Sequence, residues 1–230
     1  MSVRFEGVRE VEIDITKGHI KLEGWEEDYV ELNHSSEGKA TVKAVQKGEK
    51  LKIVGGVRRK AFNLLRKLDD GRAELEIRVP RDTRVHLQGF RGDIEASEVN
   101  FENVVCGGGT LILKNCTAKT LTLAQSTLKA LLSVVGSMSI NIAMGDAELR
   151  ITELEGNVRA NVVIGALRLY LPDTCDARIN VASRRKERVW FEGIDPLDPV
   201  IGTGKYEVTI TSEMGDVTIG LHEEDGWDDV

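Results

Sequence analysis

A Gly-Asp pair occurs three times in the chain, and carboxylates that line one face are the catalytic groups of some β-helix enzymes that process polysaccharides. The carboxylates are Asp93, Asp146 and Asp216, each directly after a glycine. Glycosidases use two carboxylates that lie roughly 5 to 9.5 Å apart. If the chain forms stacked coils about 4.8 Å apart, Asp93 and Asp146 lie three coils, or about 14 Å, from each other. Aspartate beside glycine is also common in turns, so we predict a structural role for these pairs.

Two glycine-rich segments resemble parts of phosphate-binding loops. The GTGK segment at Gly202–Lys205 is similar to the end of a P-loop, but Tyr206 and a strand pattern follow it in place of Ser or Thr and a helix. The triplet Gly107–Gly109 precedes Leu111 and Leu113, which have strand spacing, so no helix N-terminus is available for a phosphate. We predict that both segments are turns and that the protein uses no cofactor.

Residues that bind metals or act as nucleophiles show no motif. The four histidines are His19, His34, His86 and His222. No two of them have the H-x-H or H-x-x-x-H spacing of metal ligands that share a strand or a helix. The three cysteines include no CxxC pair, and we predict that they are buried structural thiols. No serine, cysteine or histidine lies in a motif typical of a catalytic nucleophile. We therefore expect no catalytic residue, no metal site and no enzymatic activity.

Basic residues concentrate in two segments of an otherwise acidic chain. The chain has 31 Lys and Arg residues against 38 Asp and Glu residues, a net charge of −7 that disfavours nucleic acid as a partner. The basic residues of the two segments are a candidate surface for an anion or a partner. They are Arg58, Arg59, Lys60, Arg66, Lys67, Arg184, Arg185, Lys186 and Arg188. We favour solvated faces for both segments and keep a membrane surface as the less favoured contact.

β-Strands must position these residues, because Val, Ile and Leu recur at every second position almost throughout. Apolar residues fall two and four positions after a glycine, or after a residue such as Ser126 that stands in its place. We call these starting positions origins, and they form two interleaved series. One series is 92, 109, 126, 145 and 165, and the other is 119, 136, 156 and 175. Steps of 17 to 20 residues predict a β-solenoid in which each coil has two short strands and the glycines lie at the corners.

This arrangement makes specific predictions for single residues. Leu149, Ile140 and Leu169 should point into the core. Their neighbours Arg150, Asn141 and Arg168 should point to solvent, because successive residues of a strand face opposite sides.

Two segments depart from the strand pattern. Residues 57–70 place Ala61, Leu64, Leu65 and Leu68 on one side, which predicts one short amphipathic helix. Residues 223–230 form an acidic tail. We therefore predict an all-β protein with N-terminal strands and a helix over residues 1–80, continuous with or capping a β-solenoid over 81–222, and then the tail.

Three segments resemble the putative-adhesin family of prokaryotic β-strand-repeat domains. They are residues 11–24, 73–96 and 202–219. In that family a strand ending in Val-Pro, here Val79 and Pro80, precedes Gly-x-Ile/Val-x-Ile repeats. The final repeat carries a Ser-x-x-Gly-x-Ile pattern, here Ser212, Gly215 and Val217. The resemblance implies a β-helix-like domain of unknown function with no established enzymatic activity.

Three functions stay open at this point. We favour a non-enzymatic binding or scaffolding protein with an unknown protein partner or with self-association, because repeat stacks present long regular faces. The alternatives are a carbohydrate-binding or carbohydrate-active β-helix and a peripheral membrane-surface protein that acts through the basic helix. The first residues contain no uninterrupted apolar segment and no stretch reaches roughly 18 apolar residues, so we expect a cytoplasmic location.

Overall fold

The structure is a computed structural model that describes residues 2–56 and 71–222, without the side chain of Phe90. Within this range the chain forms 16 strands and one short 3₁₀-helix at Lys186–Arg188. The strands are β1 (Ser2–Glu6), β2 (Glu10–Ile15), β3 (Gly18–Trp25), β4 (Tyr29–Glu37), β5 (Thr41–Lys47), β6 (Lys50–Gly56), β7 (Arg72–Pro80), β8 (Arg84–Ser97), β9 (Asn100–Ala118), β10 (Thr120–Leu123), β11 (Ser126–Pro172), β12 (Ala177–Ser183), β13 (Val189–Glu192), β14 (Val200–Ile201), β15 (Tyr206–Ser212) and β16 (Asp216–His222). The predicted helix at 57–70 and the tail at 223–230 lie outside the described residues.

The strands stack in parallel as two faces, because each coil contributes one segment to each face. Face one contains, among others, β7, β3, residues 92–97, 109–114, 126–130 and 166–172, β16 and β13. Face two contains, among others, β6, β2, residues 84–87, β10, residues 139–142 and 158–162, β15 and β12. The antiparallel strands β1, β4, β5 and β14 flank these stacks. The described residues thus form the predicted all-β, solenoid-like stack.

The core lies between the two faces and consists of the alternating aliphatic residues. Leu149, Ile140 and Leu169 are each 0% exposed, as predicted. Of their neighbours, Arg168 is exposed as predicted, whereas Asn141 and Arg150 are half-buried. The three cysteines are buried thiols that form no disulfide, and burial raises the pKa of the Cys116 thiol to about 11. The prediction of buried structural thiols is confirmed.

Glycines form the corners because neighbouring coils approach too closely for a side chain. A Cβ atom on Gly156 would lie 1.4 Å from the carbonyl oxygen of Gly136 in the adjacent coil. A Cβ atom on Gly165 would lie 1.8 Å from the carbonyl oxygen of Gly145. The spacing of origins in the sequence therefore reflects backbone contact from coil to coil.

The coils do not stack strictly in chain order, which corrects one step of the predicted series. On face two, β15 lies between residues 158–162 and β12, so the origins at 156 and 175 are not neighbours. On face one, β16 lies between residues 166–172 and β13. At the other end, β2 lies between β6 and β8, although β6 follows β2 in the chain.

The two glycine-rich segments have different outcomes. Gly202 and Gly204 have positive φ angles of 60° and 73° in the connection from β14 to β15, so the turn prediction for the GTGK segment is confirmed. The prediction of a turn at Gly107–Gly109 is wrong. These residues belong to β9, and Gly108 pairs with Arg91, because the chain rounds this corner while keeping its ladder contacts.

An ion-pair ladder on the outside of β2 and β6 should make a small, pH-dependent contribution to stability. Lys50 Nζ lies 2.8 Å from a Glu10 oxygen and 3.2 Å from a Glu12 oxygen, and Lys52 also pairs with Glu12. The hydrogen bond from Lys50 lowers the pKa of Glu10, and those from Lys52 and Lys50 lower that of Glu12. Because these pKa values are lowered, the stabilisation is present above the unfolded carboxylate pKa of about 4.3 and is lost as the pH falls through the folded values.

Replacing Lys50 with Gln should therefore raise the pKa values of Glu10 and Glu12, as measured by carboxyl NMR titration. It should lower the free energy of unfolding slightly at neutral pH and leave it unchanged once both carboxylates are protonated. Lys21→Gln is the control, since Lys21 is exposed on β3. Unchanged Glu10 and Glu12 titrations in the Lys50 variant would contradict this account.

Candidate functional site

The predicted basic surface is only partly within the described residues. Arg58, Arg59, Lys60, Arg66 and Lys67 lie outside them. Arg184, Arg185, Lys186 and Arg188 occupy the connection from β12 to β13, which contains the 3₁₀-helix. Arg188 Nη1 lies 3.2 Å from Asp216 Oδ1 and donates to the Met214 carbonyl oxygen at 3.2 Å. The other three form no ion pair with any residue that the structure describes.

The Gly-Asp carboxylates stabilise contacts between coils. Asp93 accepts a hydrogen bond from the Thr110 backbone N–H at 3.2 Å, and Asp146 accepts one from the Ala166 N–H at 3.0 Å. Each donor belongs to the next coil of face one. The structural role predicted for these two residues is confirmed.

The four histidines, Trp25 and Trp190 lie on different strands or at different positions of the described stack. In the described part of the chain, no three His, Cys, Asp or Glu residues are grouped so that they could hold a metal ion. The Trp25 indole donates to the Tyr29 carbonyl oxygen at 2.9 Å and packs edge-on against the Tyr29 ring. Trp190 lies on β13 and is 46% exposed, and Trp227 lies outside the described residues.

A groove of about 570 Å³ opens where the regular stack is interrupted. After Pro172, residues 173–176 must pass the position of β15 to reach β12, because β15 is inserted on face two. Residues 152–155 make the corresponding connection in the preceding coil and reach residues 158–162 directly. The space between these two connections is lined by both of them and by Lys205 and Tyr206. We call it the inserted-coil groove.

The inserted-coil groove is polar and carries more carboxylates than cations. Its carboxylates include Glu153, Glu155 and Asp176, and its cation is Lys205. Lys205 Nζ lies 4.6 Å from the centre of the Tyr206 ring, and interaction with the Tyr206 side chain raises the pKa of Lys205. The backbone N–H of Thr203 donates to the Asp176 carboxylate and lowers its pKa. The groove thus presents carboxyl groups, an amino group and a tyrosine side chain to a ligand.

The thiol in this groove is poorly suited to nucleophilic chemistry. Burial raises the pKa of Cys175 to about 11, which keeps it protonated at neutral pH, whereas nucleophilic cysteines have lowered pKa values. The arrangement is suited to hydrogen bonding and ion pairing with a polar ligand.

The groove was not predicted from the sequence, although the sequence contains one signal for it. Gly204 and Gly215 each begin the same apolar pattern as the other coil origins. They belong to neither series, so they mark one additional coil. The pattern did not say where that coil would insert.

The family model of Toastrack DUF4097 matches residues 8–161, which is more than half of the chain. The chain belongs to this family. This confirms the resemblance to the putative-adhesin domains. No curated protein sequence matches the chain. The described residues of this Toastrack protein include no helix of the length and apolar character that a membrane crossing requires.

Several solved structures are similar to this Toastrack protein over almost their whole length. A putative cell adhesion protein from Clostridium sporogenes is 16% identical, with a TM-score of 0.39 over 96% of this chain and 99% of that one. A putative adhesin from Bacteroides fragilis is 10% identical, with a TM-score of 0.35 over 96% of each chain. A putative lipid binding protein from Parabacteroides distasonis is 13% identical, with a TM-score of 0.38 over 97% and 96%.

Proposed function

We propose that the protein is a non-enzymatic binding module and that the inserted-coil groove is its ligand contact. The observation that carries this proposal is the location of the groove. Towards the preceding coil this corner is closed by the backbone contact of Gly156 with Gly136, whereas on its other side the insertion of β15 holds two connections apart. A stack of coils is a rigid frame, so the groove is formed before the ligand arrives.

The chemistry of the groove supports binding over catalysis. Asp176 is engaged by the Thr203 N–H, and Cys175 is a buried, protonated thiol. Glu153 and Glu155 are exposed, whereas the carboxyl of a general acid is commonly desolvated by burial. We therefore expect hydrogen bonds and ion pairs to a ligand without turnover.

A carbohydrate is the second candidate ligand class, and a specific feature of the groove favours it. Carboxylates and the Thr152 and Ser133 hydroxyls accept and donate hydrogen bonds as sugar hydroxyls require, and the Tyr206 ring is partly exposed beside them. A second recess of about 350 Å³ beside β5 and β6 is smaller, and apolar side chains such as Val45 and Val54 contribute to its lining.

The test compares what the parent and two charge-reversal variants retain from a lysate of the native organism. Glu155→Lys inverts a charge in the groove, whereas Glu95→Lys makes the same change on the exposed outer side of β8. We expect a molecule that the parent and the Glu95 variant retain, that the Glu155 variant loses, and that is released chemically unchanged. Identical retention by all three proteins would show that the groove is not the contact, and chemical conversion of the retained molecule would contradict a non-enzymatic role.

A further inference from the structure

Three exposed apolar side chains form a ridge on the corner where the chain passes from face two to face one. Met144, Ile164 and Met214 each directly precede the corner glycine of their coil. They are 44%, 38% and 48% exposed. The register of β11 with β16 places Ile164 beside Met214, and the close contact of Gly165 with Gly145 places Met144 beside Ile164. The ridge is therefore continuous over three neighbouring coils.

The fold does not require apolar residues at this corner. The same position in the preceding coils of face one is occupied by Arg91, Gly108 and Gln125. Since polar residues and glycine serve equally well there, the ridge contributes little to the core. Exposed apolar residues that lie together mark interaction surfaces more often than isolated ones do.

The basic loop continues the ridge into the next coil. The pairing of Ser183 with Ser212 places Arg184 next to Glu213, and Arg185 next to Met214. Arg184, Arg185 and Lys186 are exposed and form no ion pair with the described residues. We call these three cations and the three ridge residues the ridge–loop surface.

Acidic neighbours balance the basic residues of this corner in number, while the three cations of the loop remain exposed. Glu187, Glu213 and Asp146 are exposed on the same corner, so they equal the three unpaired cations in number. Asp216 pairs with Arg188, and Asp146 accepts the Ala166 N–H. The chain as a whole carries a net charge of −7, so this corner, with a charge near zero, is less acidic than the average surface.

An exposed tryptophan lies at the same end of the stack. Trp190 is two residues beyond Arg188 and is 46% exposed on β13. Tryptophan prefers the boundary between lipid headgroups and water, where its indole N–H stays hydrated. Its location adds a third feature that suits an interface between water and lipid.

We infer that the ridge–loop surface binds the surface of an anionic lipid bilayer, with the ridge entering the headgroup region and the cations contacting lipid headgroups. This surface is separate from the inserted-coil groove, so the inference goes beyond the proposed function. Apolar contact and basic charge together give reversible membrane binding where each alone is too weak. The ridge is a convex line of three side chains, whereas a stable protein interface buries about 800 Å² per partner over a broader area.

The experiment measures co-sedimentation of the full chain with vesicles of phosphatidylcholine mixed with phosphatidylserine, and with vesicles of phosphatidylcholine alone. We expect binding to the mixed vesicles that is weakened by added salt, because salt screens the headgroup attraction. Replacing Arg184, Arg185 and Lys186 by Gln should weaken binding about fivefold per charge, or about a hundredfold in all. Replacing Met144, Ile164 and Met214 by Ser should weaken it by at least about tenfold.

Matched variants at the opposite end of the stack are the controls. Val45→Ser with Val54→Ser removes apolar side chains that are 52% and 40% exposed. Lys21, Lys43 and Lys47 replaced by Gln remove three exposed charges. Both control proteins should bind mixed vesicles as the parent does, and the circular dichroism spectra of all variants should match that of the parent.

Three outcomes would overturn the inference. The first is the absence of binding of the parent to mixed vesicles, even if it binds an acidic protein. The second is equal loss of binding in the ridge variant and its matched control. The third is parental binding by both ridge–loop variants, which would place the vesicle contact elsewhere on the chain. Because Glu155→Lys leaves this corner untouched, it should bind vesicles normally, so failure of the groove proposal and failure of this one are distinguishable.

Discussion

Leu169→Asp should leave almost no soluble, folded protein, whereas Arg168→Asp should fold as the parent does. Leu169 is 0% exposed and pairs with Ile219 in face one, while Arg168 points outward in the same strand. An unpaired carboxylate in the core costs several kcal/mol, which is a large part of a typical total stability of about 5 to 15 kcal/mol. Soluble yield and thermal unfolding by circular dichroism measure the difference.

A milder substitution makes the same comparison quantitative. Leu169→Ala should lower the free energy of unfolding in urea by about 2 to 5 kcal/mol, because the neighbouring coils cannot collapse into the space. Soluble, stable protein from both Leu169 variants would show that the side chain does not point into the core.

The residues that face the core could be predicted from the sequence because side-chain alternation is a local property of a strand. The period-two pattern alone identifies Leu149 and Ile140 as core residues, and both are fully buried. The corner glycines were also predictable, since Gly156 and Gly136 recur at the coil period and touch through their backbones.

The order of the coils could not be predicted, because equivalent segments are interchangeable partners. Gly165 and Gly215 begin strands with the same apolar phase, so residues 166–172 can pair with β16 as well as with any other coil. Long-range pairing decided between these partners. It inserted β15 and β16 ahead of β12 and β13.

The candidate sites depend on that order, so the sequence indicated them only in part. The inserted-coil groove exists because the chain passes β15 after Pro172, and no local pattern encodes this. Met144, Ile164 and Met214 did not stand out in the sequence, because each continues the period-two apolar pattern of the segment before it although it is exposed in the structure. The basic residues of the loop were visible in the sequence, but their position beside Met214 was not.

Gly156→Ala should be among the most damaging conservative substitutions in the chain, and Gly136→Ala in the adjacent coil separates the two causes of glycine preference. A Cβ atom on Gly156 would lie 1.4 Å from the Gly136 carbonyl oxygen and 2.3 Å from its carbonyl carbon. These are backbone atoms of a paired coil and cannot move aside as a side chain can. The coils must therefore separate, and we expect the free energy of unfolding to fall by at least about 3 kcal/mol.

A Cβ atom on Gly136 would meet nothing within 4 Å, but its φ of 86° is in the left-handed region that L-residues avoid. Gly136→Ala should therefore cost only the conformational strain, about 1 to 2 kcal/mol, partly offset by the smaller entropy of the unfolded chain. Urea denaturation of both variants compares the cost of the backbone contact at position 156 with the cost of the strained φ angle at position 136. If the two substitutions lowered stability equally, backbone contact between coils would not be the reason for glycine at position 156, and the coils would have to be farther apart at this corner than the structure shows.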